Sequence, residues 1–114
     1  MKLSEHQRLF AHDVAKLIIH INETGYSCTL GEAWRHPMVS EYNARIGTGI
    51  ANSLHGDRLA IDLNLFSPEG KYLTDPEEYK PFGEWWEKLD PANSNGYRFR
   101  DANHFSRTIG DGRR

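Results

Sequence analysis

The sequence is poor in sulfur, in net basic charge and in long apolar runs, and each shortage removes a class of function. Its single cysteine, Cys28, allows no internal disulfide, which fits folding in a reducing compartment. Lys and Arg total 14 against 16 Asp and Glu, a formal charge of -2. No basic stripe therefore offers a footprint for nucleic acid, and an HNH-type nuclease reading of "ANHF" is weak on that ground. No segment approaches the roughly 20 apolar residues of a membrane span. The opening MKLSEHQRLF has no apolar core of signal-peptide length. The expectation is synthesis in the cytoplasm, with any work beyond it depending on another exit route.

What remains is an ordinary globular composition. The 114 residues are 38% hydrophobic and 26% charged, with three Trp, five Tyr and five Phe, enough for one core and one domain over residues 1–114. No repeat, linker or low-complexity segment divides it, and a monomer is expected.

Periodicity gives the elements. Ser4 and Gln7 match a capping box, and Phe10, Val14, Leu17, Ile18 and Ile21 form a helical apolar stripe ended by Thr24-Gly25. Residues 26–34 read as a strand, 37–46 as a short helix after Pro37, and GTGIANS as a loop. Leu59, Ile61, Leu63 and Leu65 alternate with Ala60, Asp62, Asn64 and Phe66, the pattern of a half-buried strand. A turn at SPEG should let KYL pair back as a hairpin. Asp75-Pro76 opens a helix carrying Phe82, Trp85, Trp86 and Leu89. PANSNG reads as a loop, and YRFR and HFSRT as short strands around a turn at Asp101–Asn103. The expected class is α+β, two or three helices packed on a small antiparallel sheet.

One stretch, SLHGDRLAID, does not fit a purely structural reading. Strands disfavour an acid in their middle, so Asp62 needs a compensating cation. His55, seven residues upstream, can fold back beside it, and imidazole and carboxylate are both good zinc ligands. Of the six histidines, His6, His12 and His20 read as surface residues of the first helix, and His36 as a loop residue. His104 stands apart, with Asp101 three residues before it. Such a pair can divide its labour, one side chain on a metal and the other taking the proton of an attacking water. The competing reading pairs Asp62 with Arg58 or Arg35, leaves His55 in a loop and makes Asp101 a turn cap; spacing alone leaves both open. Arg58, Asp57, Asp111, Arg113 and Arg114 read as solvated charges, Asn103 as a turn residue and Cys28 as a small buried residue. Trp34 is evenly poised between core and site wall, and Trp85 and Trp86 read as core or groove wall.

Ser53-x-His55-x(6)-Asp62 followed by Asp101-x-x-His104 resembles the signature of the VanY-like family of zinc D-alanyl-D-alanine carboxypeptidases and L-alanyl-D-glutamate endopeptidases. The longer pattern GEAWRHP…NSLHGDRLAIDLNLF…GEWW…NHFS, within residues 28–106, is similar to the phage endolysins of that family. The resemblance implies a small α+β domain whose sheet carries zinc. It implies zinc ligands at His55, Asp62 and His104 and a general base at Asp101. Arg35 would hold a substrate carboxylate or stabilise the oxyanion, and Ser53 would line the site. Where many relatives have Trp-Gly this chain reads NSNGYRF, so Tyr97 stands in as pocket wall. The implied activity is hydrolysis of peptidoglycan stem peptides, L-Ala–D-Glu cleavage being favoured over D-Ala release, in a phage or prophage lysin that finds its polymer through the catalytic face alone. A non-catalytic zinc module and a metal-free binding domain are the alternatives.

Overall fold

The computed structural model describes residues 1–47 and 52–114, so the middle of the GTGIANS loop lies outside the described residues. The fold is α+β, as expected. Helices α1 (Leu3–Glu23), α2 (Pro37–Arg45) and α3 (Pro76–Leu89) accompany strands β1 (Ser27–Leu30), β2 (Ala60–Phe66), β3 (Asn93–Gly96) and β4 (Asp101–Arg107). The strands form one antiparallel sheet in the order β1-β2-β4-β3. Among the described residues no helix is long and apolar enough to cross a membrane.

The apolar stripe of α1 faces inward as its spacing requires, with Phe10, Leu17 and Ile21 buried and Val14 and Ile18 packed at the margin. The helix begins earlier than the Ser4 cap. Lys2 is extended, and the Glu5 carboxylate accepts the Lys2 N–H at 3.2 Å, so the reciprocal half of a capping box sits two residues upstream. Two of the helix's surface histidines are half-buried instead. His6 Nδ1 accepts Arg107 Nε at 3.1 Å, and His20 stacks on Trp85 with ring centroids 4.0 Å apart. His12 is exposed as expected.

On β2 the period of two holds: Leu59, Ile61, Leu63 and Leu65 join the core, and Asp62 and Asn64 are half-buried on the opposite face. Strand β1 is shorter than the expected 26–34, but its tail still follows β2. Gly31 N–H donates to the Asp62 carbonyl at 2.7 Å and Asp62 N–H to the Glu32 carbonyl at 3.0 Å. A Cβ on Gly31 would sit 2.9 Å from that Asp62 oxygen, so only glycine permits the approach. The KYL hairpin reduces to a single bridge between Phe66 and Tyr72.

Helix α3 starts as read, with the Asp75 carboxylate accepting Glu77 N–H at 3.0 Å. Its Trp86 is fully buried between Phe10 and Phe105, edge to face with each. The indole N–H reaches the carbonyls of Ser94 and Ser106, each at 3.1 Å, which ties the helix to β3 and β4. Tyr79 works similarly: its hydroxyl accepts Leu65 N–H at 3.1 Å and donates to the Leu73 carbonyl at 3.0 Å. Tyr79→Phe would strand both main-chain groups in the core. The expected cost is about 1–3 kcal/mol in urea unfolding, and a variant as stable as wild type would contradict this pairing.

The C-terminal third departs most from expectation. PANSNG is not merely a loop, because Asn93–Gly96 forms β3. YRFR is not a strand, because Tyr97–Phe99 makes a 3-10 turn. Asp101 and Asn103 lie on β4 itself rather than in a turn. The reversal falls at Arg100, which has a left-handed φ of 57°. Side-chain bonds hold the polar β3 in place. Asn95 Nδ2 donates to the Ala102 and His104 carbonyls at 2.8 and 2.9 Å, and Asn93 Nδ2 to Asp13 and the Trp86 carbonyl.

Candidate metal centre

Three elements bring His55, Asp62 and His104 together. His55 lies on a 3-10 turn, Leu54–Asp57, whose first N–H groups Ser53 caps: its hydroxyl accepts His55 N–H at 3.2 Å. The turn ends at Arg58, whose left-handed φ of 56° lets the chain swing directly into β2. Asp62 follows on β2, and the antiparallel register sets His104 of β4 directly opposite it. Arg58 and Arg100 are the non-glycine residues with positive φ among the described residues. One stands between His55 and Asp62 and the other immediately precedes Asp101, so backbone in a sparsely populated region flanks the site on both sides.

The donor atoms converge. His55 Nε2 lies 3.3 Å and His104 Nδ1 3.6 Å from the same Asp62 oxygen, Oδ1, and the donor atoms of the three residues are all within 4.8 Å of one another. Charge-assisted N–H···O bonds close to about 2.7–2.9 Å. The observed separations are longer. The shorter equals, and the longer slightly exceeds, the edge of a tetrahedron with bonds of about 2.0–2.1 Å, which is about 3.3 Å. Buried His55, with half-buried Asp62 and His104, can hold a metal ion. His104 Nε2 meets the main-chain oxygen of Arg114 at 3.1 Å, the outer partner that a ligating imidazole usually has. His55 Nδ1 is buried with no partner among the described residues.

The reading in which arginine neutralises Asp62 finds no support in the contacts. Arg35 pairs with Glu32, and the guanidinium of Arg58 lies 5.0 Å above the exposed Trp34 ring. Asp62 instead has the two imidazoles. Burial pushes its carboxyl up, but hydrogen bonds from His104 and His55, and their charge, outweigh that and hold it at about 2, against an ordinary 3.8. Burial disfavours a charged His104, yet the Asp62 hydrogen bond and the charges of Asp101 and Asp62 raise its pKa above 6.5.

In the metal-free protein the two shifts have opposite signs. The lowered Asp62 value stabilises the fold above pH 3.8, and this is lost as pH falls toward 2. The raised His104 value stabilises it below pH 6.5, and this is lost as pH rises through the folded value. Asp62→Asn should therefore flatten both flanks of the Tm–pH curve of chelator-stripped protein; flanks identical to wild type would contradict the coupling.

The other residues named from sequence are placed as follows. Asp101 Oδ2 is 3.9 Å from His104 Nδ1, with its side chain 61% exposed. Arg35 is tied to the site through its main chain, its N–H donating to the His55 carbonyl at 3.3 Å. Ser53 is buried and its hydroxyl positions His55, so its observed contact is structural. Tyr97 packs against Gly83 of α3 with Arg98 over its ring. The aromatic wall of the cleft beside Asp101 and His104 is Phe99. Cys28 is half-buried on β1, and burial pushes its thiol up, away from the thiolate a metal would need. His36 caps α2, its Nδ1 accepting Met38 N–H at 3.1 Å.

Four contributors were not foreseen: Asn95, Glu32, Phe99 and Arg113. Asn95 is 1% exposed and anchors the His104 carbonyl. Arg113 is no solvated tail charge. Its guanidinium pairs with Asp57 and Asp111 at 2.7 Å. Nothing in a polar NSNG run or a C-terminal arginine pair signals these roles, because Asn95 acts across the β3–β4 pairing and Arg113 through Asp57, far back along the chain. Compared with known proteins, the chain matches no family model and no curated protein sequence.

Proposed function

We propose that this protein is a zinc-dependent peptidase that hydrolyses the stem peptides of bacterial peptidoglycan, cutting between L-Ala and D-Glu, in the manner of a phage or prophage lysin. One observation carries the reading: the donor atoms of two imidazoles and a carboxylate lie within 4.8 Å of one another, with a further, exposed carboxylate, Asp101, 3.9 Å from His104 Nδ1. A structural zinc site is usually closed by four protein ligands, whereas a catalytic one keeps a place open. Bound there, zinc would supply a Lewis acid and a water acidified to a pKa of about 7.

The chain's own residues supply the rest. Asp101, open to solvent, takes a proton from the attacking water and later returns it to the departing amine. Arg35, held by Glu32 and by its main-chain bond to His55, contributes positive charge toward a substrate carboxylate or the developing oxyanion. Asp101 also borders two clefts, of about 160 Å³ beside Phe99 and about 210 Å³ beside Tyr72 and Arg100. Room in two clefts that both border Asp101 suits cleavage within a peptide better than removal of a terminal residue.

Digestion of purified sacculi with and without a chelator, followed by mass analysis of the fragments, tests the proposal. The expected result is chelator-sensitive release of peptides with a new D-Glu amino terminus. Loss of D-Ala would reassign the bond to a carboxypeptidase. Intact sacculi with zinc-loaded protein would leave a binding module.

A further inference from the structure

We infer that Arg113 is a positioning residue that clamps the C-terminal tail between the two histidine-bearing elements, so that the Arg114 main-chain oxygen fixes His104 with a bare Nδ1 facing the metal. The inference rests on the metal reading above and deepens it.

The tail is held far more firmly than a solvated end would be. The Arg113 side chain is only 13% exposed. Its Nη1 meets Asp57 Oδ2 at 2.7 Å and Asn52 Oδ1 at 3.4 Å, while Nη2 and Nε meet Asp111 Oδ2 at 2.7 and 2.8 Å. Asp57 closes the 3-10 turn that carries His55, so this contact fastens the tail to one ligand's own element. Gly110 and Gly112, with φ of 84° and 88°, turn the chain back. An added Cβ would meet nothing within 4 Å at either position, so conformation rather than crowding favours glycine there. The Arg114 guanidinium lies 4.2 Å above the Phe99 ring, a second hold on the far side of the cleft.

The consequence falls on His104. A main-chain oxygen can only accept, so the Nε2 atom 3.1 Å from Arg114 carries the proton. In a neutral imidazole that leaves the lone pair on Nδ1, the atom 3.6 Å from Asp62 Oδ1. Arg113 touches neither metal nor substrate. It acts by keeping the Arg114 oxygen in place.

The test compares wild type, Arg113→Ala, Arg113→Lys and a control, Arg98→Ala, whose exposed ion pair joins the Tyr97–Phe99 turn to Glu87 of α3. Zinc affinity is measured by competition with a chromophoric chelator. Long-range proton–nitrogen NMR of the zinc-loaded proteins reports which ring nitrogen of His104 carries hydrogen. Arg113→Ala should weaken zinc binding about 10- to 100-fold, the usual cost of losing an outer partner, and lose the sharp Nε2–H pattern. Arg113→Lys should recover part of the affinity, and Arg98→Ala should match wild type. Wild-type affinity and an unchanged His104 pattern in Arg113→Ala overturn the inference, as does an equal loss in Arg98→Ala. A wild-type protein that binds no zinc overturns the metal reading with it.

Discussion

Asp101→Ala is expected to lower kcat on peptidoglycan by about 10²- to 10⁴-fold, the usual contribution of a general acid–base group, while the protein keeps its metal and its fold. The side chain is 61% exposed and stands 3.9 Å from His104 Nδ1, so its loss opens no cavity and strands no buried partner. Exposed substitutions of that kind usually change stability by less than about 0.5 kcal/mol. If Asp101 acts only in the transition state, kcat and kcat/KM should fall together with KM nearly unchanged. Zinc content, Tm and steady-state rates measured on one preparation separate the outcomes. Wild-type turnover with zinc bound would remove Asp101 from the chemistry, and loss of zinc would make it a ligand instead.

Asp62→Asn should have the opposite signature, with metal lost first and activity lost as a result. Both imidazoles approach the same Asp62 oxygen, at 3.3 and 3.6 Å, so this carboxylate is the group the donors share. The amide is almost the same size but neutral, and it is a poor ligand for a divalent cation. Zinc affinity should fall by at least about a hundredfold, the upper end of what losing an outer partner costs. The metal-free variant should still fold, because Ile61 and Leu63 on either side of Asp62 remain in the core. Isothermal titration with zinc gives the answer, and equal affinity would remove Asp62 from the site.

Much of the scaffold was legible because it follows from local rules. The stripe from Phe10 to Ile21 and the Asp75-Pro76 helix start carry their own periodicity and capping chemistry. The alternation from Leu59 to Leu65 by itself places Asp62 on the face away from the core, where it is found. Spacing alone left Asp62 open to arginine or histidine partners; the family resemblance implied His55 and His104, and these are the side chains that meet it. Strand β3 was not legible. Asn, Ser and Gly are poor strand formers, and this segment is a strand because Asn95, Asn93 and the Trp86 indole bond across to β4, α1 and α3. His104 was legible on a strand but Asp101 was not, because the reversal is made one residue earlier by a non-glycine residue, Arg100, in a left-handed conformation. The resemblance implied Tyr97 as cleft wall; Tyr97 opens a 3-10 turn whose last residue, Phe99, lines the cleft beside Asp101 and His104. The anchoring of the tail by Arg113 depends on Asp57, more than fifty residues away, a distance no local pattern spans.

X-ray absorption at the zinc edge on the purified, stoichiometrically loaded protein addresses the central claim most directly. A first shell of nitrogen and oxygen at about 2.0–2.1 Å, with the outer-shell scattering of two imidazoles that disappears one at a time in His55→Ala and His104→Ala, is the result expected here. A sulfur shell near 2.3 Å, or a spectrum indifferent to both substitutions, would place the metal elsewhere and end the account.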